Sequence, residues 1–271
     1  MTDLLSLQNI TVRFGGLTAV DHVSFAVTKG SICGLIGPNG AGKTTLFNIM
    51  SGLVPQDHGV MILNGVHFEH QQIWQRTDLG LARTFQNIRL FSDMTVLENV
   101  MAGAHSRIHV SLRALLLRQQ SWRRDEQNVK DQAFAWLDFV GLRDAAFLRA
   151  GDLSYGDQRR VEIARALMSN PTLIMLDEPA AGLNPAETKS LMQLIGSLKQ
   201  QGFTILIVEH DMPLVMGLCD AITVLNFGRV IAHGTPQEVR TNPQVIEAYL
   251  GAKIAHDLAS SSTLANGGVH V

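Results

Sequence analysis

The run Gly37-Pro38-Asn39-Gly40-Ala41-Gly42-Lys43-Thr44-Thr45 has the residue types and spacing to hold a phosphate. Its glycines permit backbone angles and close approaches that a side chain forbids. Successive backbone N–H groups can then converge on an anion, and the positive end of a following helix dipole points the same way. In a Gly-x4-Gly-Lys-Thr frame, Lys43 is placed to reach the β- and γ-phosphates of a nucleotide, and Thr44 offers a hydroxyl to Mg2+. Three further polar groups directly follow apolar runs: Gln86, the pair Asp177-Glu178, and His210 after Glu209. Phe14 stands just before a Gly-Gly turn, where its ring could stack on a base or simply join a core.

These side chains need a scaffold. Residues 32–36 form an apolar run ahead of the glycine-rich turn and read as a buried strand, while 46–50 continue a helix after it. Further strands are expected over 173–176, 204–208 and 221–225, with helices over 187–200 and 212–219 between them. Continuous apolar strands alternating with helices predict an α/β architecture with a mainly parallel sheet covered on both faces. In such sheets ligands collect at the carboxyl ends of the strands, so the phosphate loop, Gln86, Asp177-Glu178 and His210 should meet in one crevice.

Residues 4–14 and 20–27 alternate around Gly15-Gly16 and predict an N-terminal antiparallel hairpin, and 60–65 reads as another strand and turn. Thr95 and Glu98 give a capping-box start to a helix, 131–140 has one apolar helical side, and Ser154 opens a helix over 158–168. Residues 230–232 turn back across Gly228, and 236–250 predict one terminal helix. The stretch 105–130 is basic and amphipathic, which suits a membrane-surface or partner-facing helix as well as a solvated face. Residues 251–271, made largely of Gly, Ser, Ala and Asn, predict a flexible tail. No internal repeat is visible, so residues 1–250 read as a single domain carrying one nucleotide module.

Composition narrows the classes. The 271 residues are 46% hydrophobic and 6% aromatic, with a net charge of −2, so nothing general points to nucleic acid. Cys33 and Cys219 lie inside apolar segments without CxxC spacing and are expected to be buried thiols. No run of 18 apolar residues exists to span a bilayer, and no secretory signal is expected at the start.

Taken together, the motifs resemble the ATP-binding subunit of an ABC transporter. Residues 37–45 match its Walker A loop and 173–177 its Walker B strand. Gln86 and His210 match the Q- and H-loops, and Leu153-Ser154-Tyr155-Gly156-Asp157-Gln158-Arg159-Arg160 matches the signature, all in family order over roughly residues 4–250. The resemblance implies a P-loop ATPase fold with a RecA-like mainly parallel sheet, an N-terminal antiparallel β subdomain and an α-helical signature subdomain at about 92–168 inserted in the nucleotide-binding core.

It also implies ATP and Mg2+ as cofactors. Asn39, Gly40, Ala41, Gly42, Lys43, Thr44 and Thr45 would hold the phosphates and Phe14 the adenine. Thr44, Gln86 and Asp177 would serve the metal, with Glu178, His210 and Gln86 in catalysis. Ser154 and Gly156 would address the nucleotide of a second ATPase subunit, self or homologue, in a head-to-tail dimer. This chain departs from the commonest signature at Tyr155 and Asp157, and from the usual D-loop at Asn184.

Those departures, together with 83–91 (Arg-Thr-Phe-Gln-Asn-Ile-Arg-Leu-Phe) and the Asn226-Phe227-Gly228 turn, are similar to the larger ATPase of branched-chain amino-acid importers. The implied partners are two transmembrane permeases and, through the complex, a periplasmic binding protein, with no nucleic acid. The implied location is peripheral, on the cytoplasmic face of the inner membrane. Other cargoes (urea, amides, aromatic acids, or lipopolysaccharide export) and a soluble regulatory ABC protein are the alternative readings.

Overall fold

The computed structural model describes residues 2–104 and 120–250, with side chains from residue 126 onward in the second segment. The basic stretch 105–130 falls mostly outside the described residues, and the tail 251–271 falls wholly outside them.

Two sheets organise the chain. Strands β1 (Asp3–Phe14), β2 (Leu17–Thr28), β4 (His58–Leu63) and β5 (Val66–His67) form an antiparallel sheet of order β2-β1-β4-β5. The second sheet contains β3 (Ile32–Ile36), β6 (Leu81–Arg83), β7 (Leu173–Asp177), β8 (Thr204–Val208), β9 (Ala221–Asn226) and β10 (Arg229–Gly234), in the order β10-β9-β3-β8-β7-β6. Its pairs are parallel except for the β9–β10 hairpin at one edge.

All five residues of β3, β7 and β8 are buried. Successive side chains on a strand point to opposite faces, so each face has its own core. Cys33, Leu35, Leu173, Met175, Leu206 and Val208 pack with Leu46, Phe47 and Met50 of α1 (Lys43–Met50) and with Leu5, Leu7 and Met61 of the small sheet. On the other face Ile32, Ile36, Ile174, Leu176, Ile205 and Ile207 pack against Leu191, Ile195 and Leu198 of α6 (Pro185–Gln200) and Leu214 and Val215 of α7 (Met212–Leu218). This double coverage is why the strands read as unbroken apolar runs.

Between α1 and β6 lies the short α2 (Ile73–Asp78). A third cluster joins α3 (Val96–Ala102), α4 (Gln120–Phe139) and α5 (Tyr155–Leu167) through Val96, Val100, Ala133, Leu137, Val161 and Ala164. The capping box opening α3 is formed, Thr95 Oγ1 accepting the Glu98 N–H while the Glu98 carboxylate accepts that of Thr95. No described helix is long and apolar enough to cross a membrane.

Three helices depart from their expected limits, and the one expected at 158–168 runs Tyr155–Leu167, which takes Gly156 into its first turn. The helix expected at 131–140 begins at Gln120. The terminal helix expected over 236–250 is split into α8 (Pro236–Thr241) and a helical segment at 243–250. Between them Asn242 takes φ −71° and ψ 121°. Pro243 explains the break, since the residue before a proline is driven out of the helical region into an extended one.

Candidate functional site

The carboxyl ends of the central strands build the site. β3 delivers the chain into the glycine-rich loop, and α1 begins at Lys43 with Gly42 as its N-cap at φ 100° and no side-chain cap bond. The first-turn N–H groups are therefore left for a ligand. A side chain at Gly42 would place its Cβ 2.7 Å from the Ala19 carbonyl oxygen, so only glycine lets the loop lie against β2. Lys43 Nζ donates to the carbonyls of Gly37 (2.7 Å) and Pro38 (3.0 Å). Burial pushes its pKa down, and the nearby Glu178 carboxylate opposes that shift.

The loop forms one wall of a cavity of about 460 Å3 lined by Phe14, Leu17, Thr18, Ala19, Asn39, Gly40, Ala41, Gly42, Lys43, Thr44, Thr45, Glu178, Phe227 and Gly228. Glu178 follows the last residue of β7 at φ 45°, its N–H donating to the Val208 carbonyl of β8 at 2.9 Å. Such backbone costs on the order of 1–3 kcal/mol in a non-glycine residue and is held only by surrounding structure. Gln86 Nε2 donates to Glu178 Oε2 at 2.9 Å, and His210 Nδ1 lies 3.7 Å from the same oxygen. Behind them the buried Glu209 carboxylate accepts the N–H of Ala180 (2.9 Å) and of His210 (3.2 Å). Burial holds that carboxyl above its usual range, against the two amides that favour its charge.

Asp177 is buried at the end of β7, and Arg83 NH2 reaches its Oδ2 at 2.7 Å. The same guanidinium donates to Asn48 Oδ1 (2.8 Å) and Ser51 Oγ (2.7 Å), and lies over the rings of Phe47 and Phe85. This ties the tip of β6 and the end of α1 to the acid.

No group of three His, Cys, Asp or Glu side chains that could hold a metal occurs among the described residues. The candidate donors, the Thr44 hydroxyl, the Asp177 carboxylate and the Gln86 amide, are all hard oxygen ligands. A partial oxygen shell finished by phosphate and water suits Mg2+.

The expected convergence is present. Phe14, Asn39 to Thr45 and Glu178 line one cavity, Gln86 and His210 reach it through Glu178, and Asp177 precedes Glu178 at the end of β7. Ser154 and Gly156 do not line it. Ser154 instead caps α5, its Oγ accepting the Asp157 N–H at 3.2 Å. Arg83, Arg159 and Phe227 are the site residues that sequence reasoning missed as individuals. Phe227 stands in a motif singled out by its residue types, but nothing in spacing brings it beside Phe14.

A family model for the ABC transporter matches residues 20–181. The chain belongs to the ABC transporter family. A second model, for a branched-chain amino acid ATP-binding cassette transporter, matches residues 229–255. The chain is 47% identical over 249 residues to the high-affinity branched-chain amino acid transport ATP-binding protein LivG of Escherichia coli (strain K12), covering 92% of this chain and 98% of LivG. BraF of Pseudomonas aeruginosa, described in the same terms, is 44% identical with the same coverage. Among solved structures, the ADP conformation of MJ1267, an ATP-binding cassette of an ABC transporter, superposes with a TM-score of 0.81 at 34% identity, covering 93% of this chain and all of that one. A nucleotide-free ATP-binding cassette gives 0.80, also at 34% identity, covering 92% of this chain and 99% of that one. The chain is accordingly a nucleotide-binding, ATP-hydrolysing subunit of an ABC transporter.

Proposed function

We propose that this subunit powers an importer of branched-chain, hydrophobic amino acids. It would work with a second ATPase subunit, two transmembrane permeases and a periplasmic binding protein, docked peripherally at the cytoplasmic face of the inner membrane. The observation that carries the reading is the meeting of Gln86 and His210 on one Glu178 oxygen beside the phosphate cradle, in a chain 47% identical to LivG.

The triphosphate lies along the loop 37–45, where backbone N–H groups and Lys43 take its oxygens and Phe14 takes the base. Glu178 orients the attacking water and accepts its proton as the water oxygen bonds to the γ-phosphorus and the bond to the β-phosphate oxygen breaks. His210 and Gln86 hold that carboxylate and the water in line. Gln86 donates an amide N–H to Glu178, and its oxygen, with the Asp177 carboxylate and the Thr44 hydroxyl, would hold Mg2+. The cation would neutralise charge on the β- and γ-oxygens.

Ser154 and Gly156, at the start of α5, face the nucleotide of the opposing subunit in a head-to-tail pair. ATP thus bridges two subunits, and loss of the γ-phosphate releases them as a rigid-body motion passed to the permeases.

The test is labelled leucine uptake in cells deleted for this chain and complemented with wild type or Glu178→Gln. Wild type restores uptake; Glu178→Gln binds ATP and gives turnover at least about a hundredfold lower. Wild-type turnover by the variant removes Glu178 as the base, and restored transport of a different solute without leucine removes the cargo.

A further inference from the structure

The turn joining β9 to β10 carries a side chain that neither fold nor phosphate chemistry requires. Asn226 and Arg229 pair across the hairpin, and the two residues between them, Phe227 and Gly228, take φ 44° and φ 77°. Two positive φ values make this a two-residue turn of the kind that Asn, Asp and Gly fill without strain. Phenylalanine in the first place is strained by its Cβ. It is also 84% exposed, so the ring gains no burial that would offset the strain.

The turn is nevertheless fixed in place. The Gly228 N–H donates to the Ala41 carbonyl of the phosphate loop (2.9 Å), and the Gly228 carbonyl accepts the Asp21 N–H of β2 (2.8 Å). Arg229 Nε reaches Asp21 Oδ2 at 2.7 Å. A Cβ on Gly228 would stand 2.8 Å from the Ala19 carbonyl, so the turn presses on β2 as closely as Gly42 does. These bonds hold the Phe227 ring at the mouth of the nucleotide cavity, which it lines with Phe14 (51% exposed) and Leu17 (68% exposed). Three exposed apolar side chains on one cavity, one of them on strained backbone, mark a surface kept for a flat apolar ligand.

We propose that Phe227 is a second aromatic contact for the nucleobase, so that the base is gripped by Phe14 from the β1–β2 hairpin and by Phe227 from the β9–β10 hairpin. The inference rests on the reading that ATP occupies this cavity with its base at Phe14. Because stacking uses the π face and not the hydrogen-bonding edge of a base, the grip serves ATP and GTP alike. The bond from Gly228 to Ala41 joins the grip to the phosphate loop, so base and phosphates are held on one frame.

The test uses the full chain and calorimetric titration with Mg-ATP, Mg-GTP and, as a base-free probe, tripolyphosphate. Phe227→Asn puts a turn-compatible residue in place, so Tm should rise by about 2–4 °C while affinity for both nucleotides falls about tenfold and tripolyphosphate binds as before. Phe227→Tyr keeps the π face and should keep wild-type affinity. Unchanged ATP affinity in Phe227→Asn, with Lys43→Ala losing it, overturns the inference alone. ATP binding in Lys43→Ala equal to wild type overturns the site reading and the inference with it. Equal weakening of nucleotides and tripolyphosphate by Phe227→Asn would show a disturbed loop and also overturn the inference.

Discussion

Replacing Arg159 by Met isolates the device that holds the Gln86 loop. The Arg159 side chain is 0% exposed and its partner Glu162 1% exposed, joined at 2.7 Å within α5. Arg159 also donates to the carbonyls of Phe85 and Gln86, each at 2.7 Å, and Glu162 accepts the Phe85 N–H at 3.4 Å. The pair thus fastens the signature helix to the segment carrying Gln86. Removing one member of a buried pair leaves the other charged and dry, a loss of roughly 3–5 kcal/mol.

Glu162 already sits above the usual carboxyl range because burial outweighs the stabilising Arg159 charge. Without Arg159 it moves higher. Its folded pKa then exceeds its unfolded value, so the folded state binds the extra proton and stability falls as pH rises through that window. Urea unfolding followed by fluorescence of the three tryptophans should show Arg159→Met losing about 3–5 kcal/mol at pH 8 and visibly less at pH 5. The double variant Arg159→Met/Glu162→Gln should recover most of the loss and the added pH dependence. Turnover in the single variant should fall beyond what its unfolded fraction explains, because Gln86 loses its backbone anchor. A loss below about 1 kcal/mol, or one equal at both pH values, would refute the reasoning.

Two further perturbations test burial. The Tyr249 hydroxyl is enclosed without a hydrogen-bond partner, and burial pushes the phenol up to about 12, with the Gly37 backbone opposing the shift. Tyr249→Phe should raise Tm by about 2–4 °C in a thermal melt; a lower Tm would mean that the hydroxyl is bonded after all. Burial pushes the Cys33 thiol up to about 12 and raises that of Cys219 as well. N-ethylmaleimide at pH 8 should therefore modify neither in the native chain and both in urea, by mass, and rapid native labelling of either would contradict their enclosure.

The central sheet was legible because β3, β7 and β8 are buried along their whole length and apolar but for Asp177 at the end of β7 and Thr204 at the start of β8. The phosphate loop was legible because its chemistry is local, nine consecutive residues performing one task. Arg83 was not, since its acid partner lies 94 positions away and a lone arginine reads as surface. Arg159 was not legible for a related reason: it stands within the signature run, and only the fold shows that the Gln86 segment covers it. The break in the terminal helix had a local signal in Pro243, which the reading of 236–250 as one helix passed over.

Glu209 holds two segments with one carboxylate: the turn leaving β7, at Ala180, and the backbone of its neighbour His210. Residues 181–184 leave directly from that turn, so the Glu209 carboxylate lies between them and the imidazole's own main chain. Were either amide pulled away, a charge would be stranded in a dry interior, and the carboxyl would take up a proton sooner than keep it. One carboxylate thus couples the turn leaving β7 to the backbone that carries the imidazole at the water-handling end of the site.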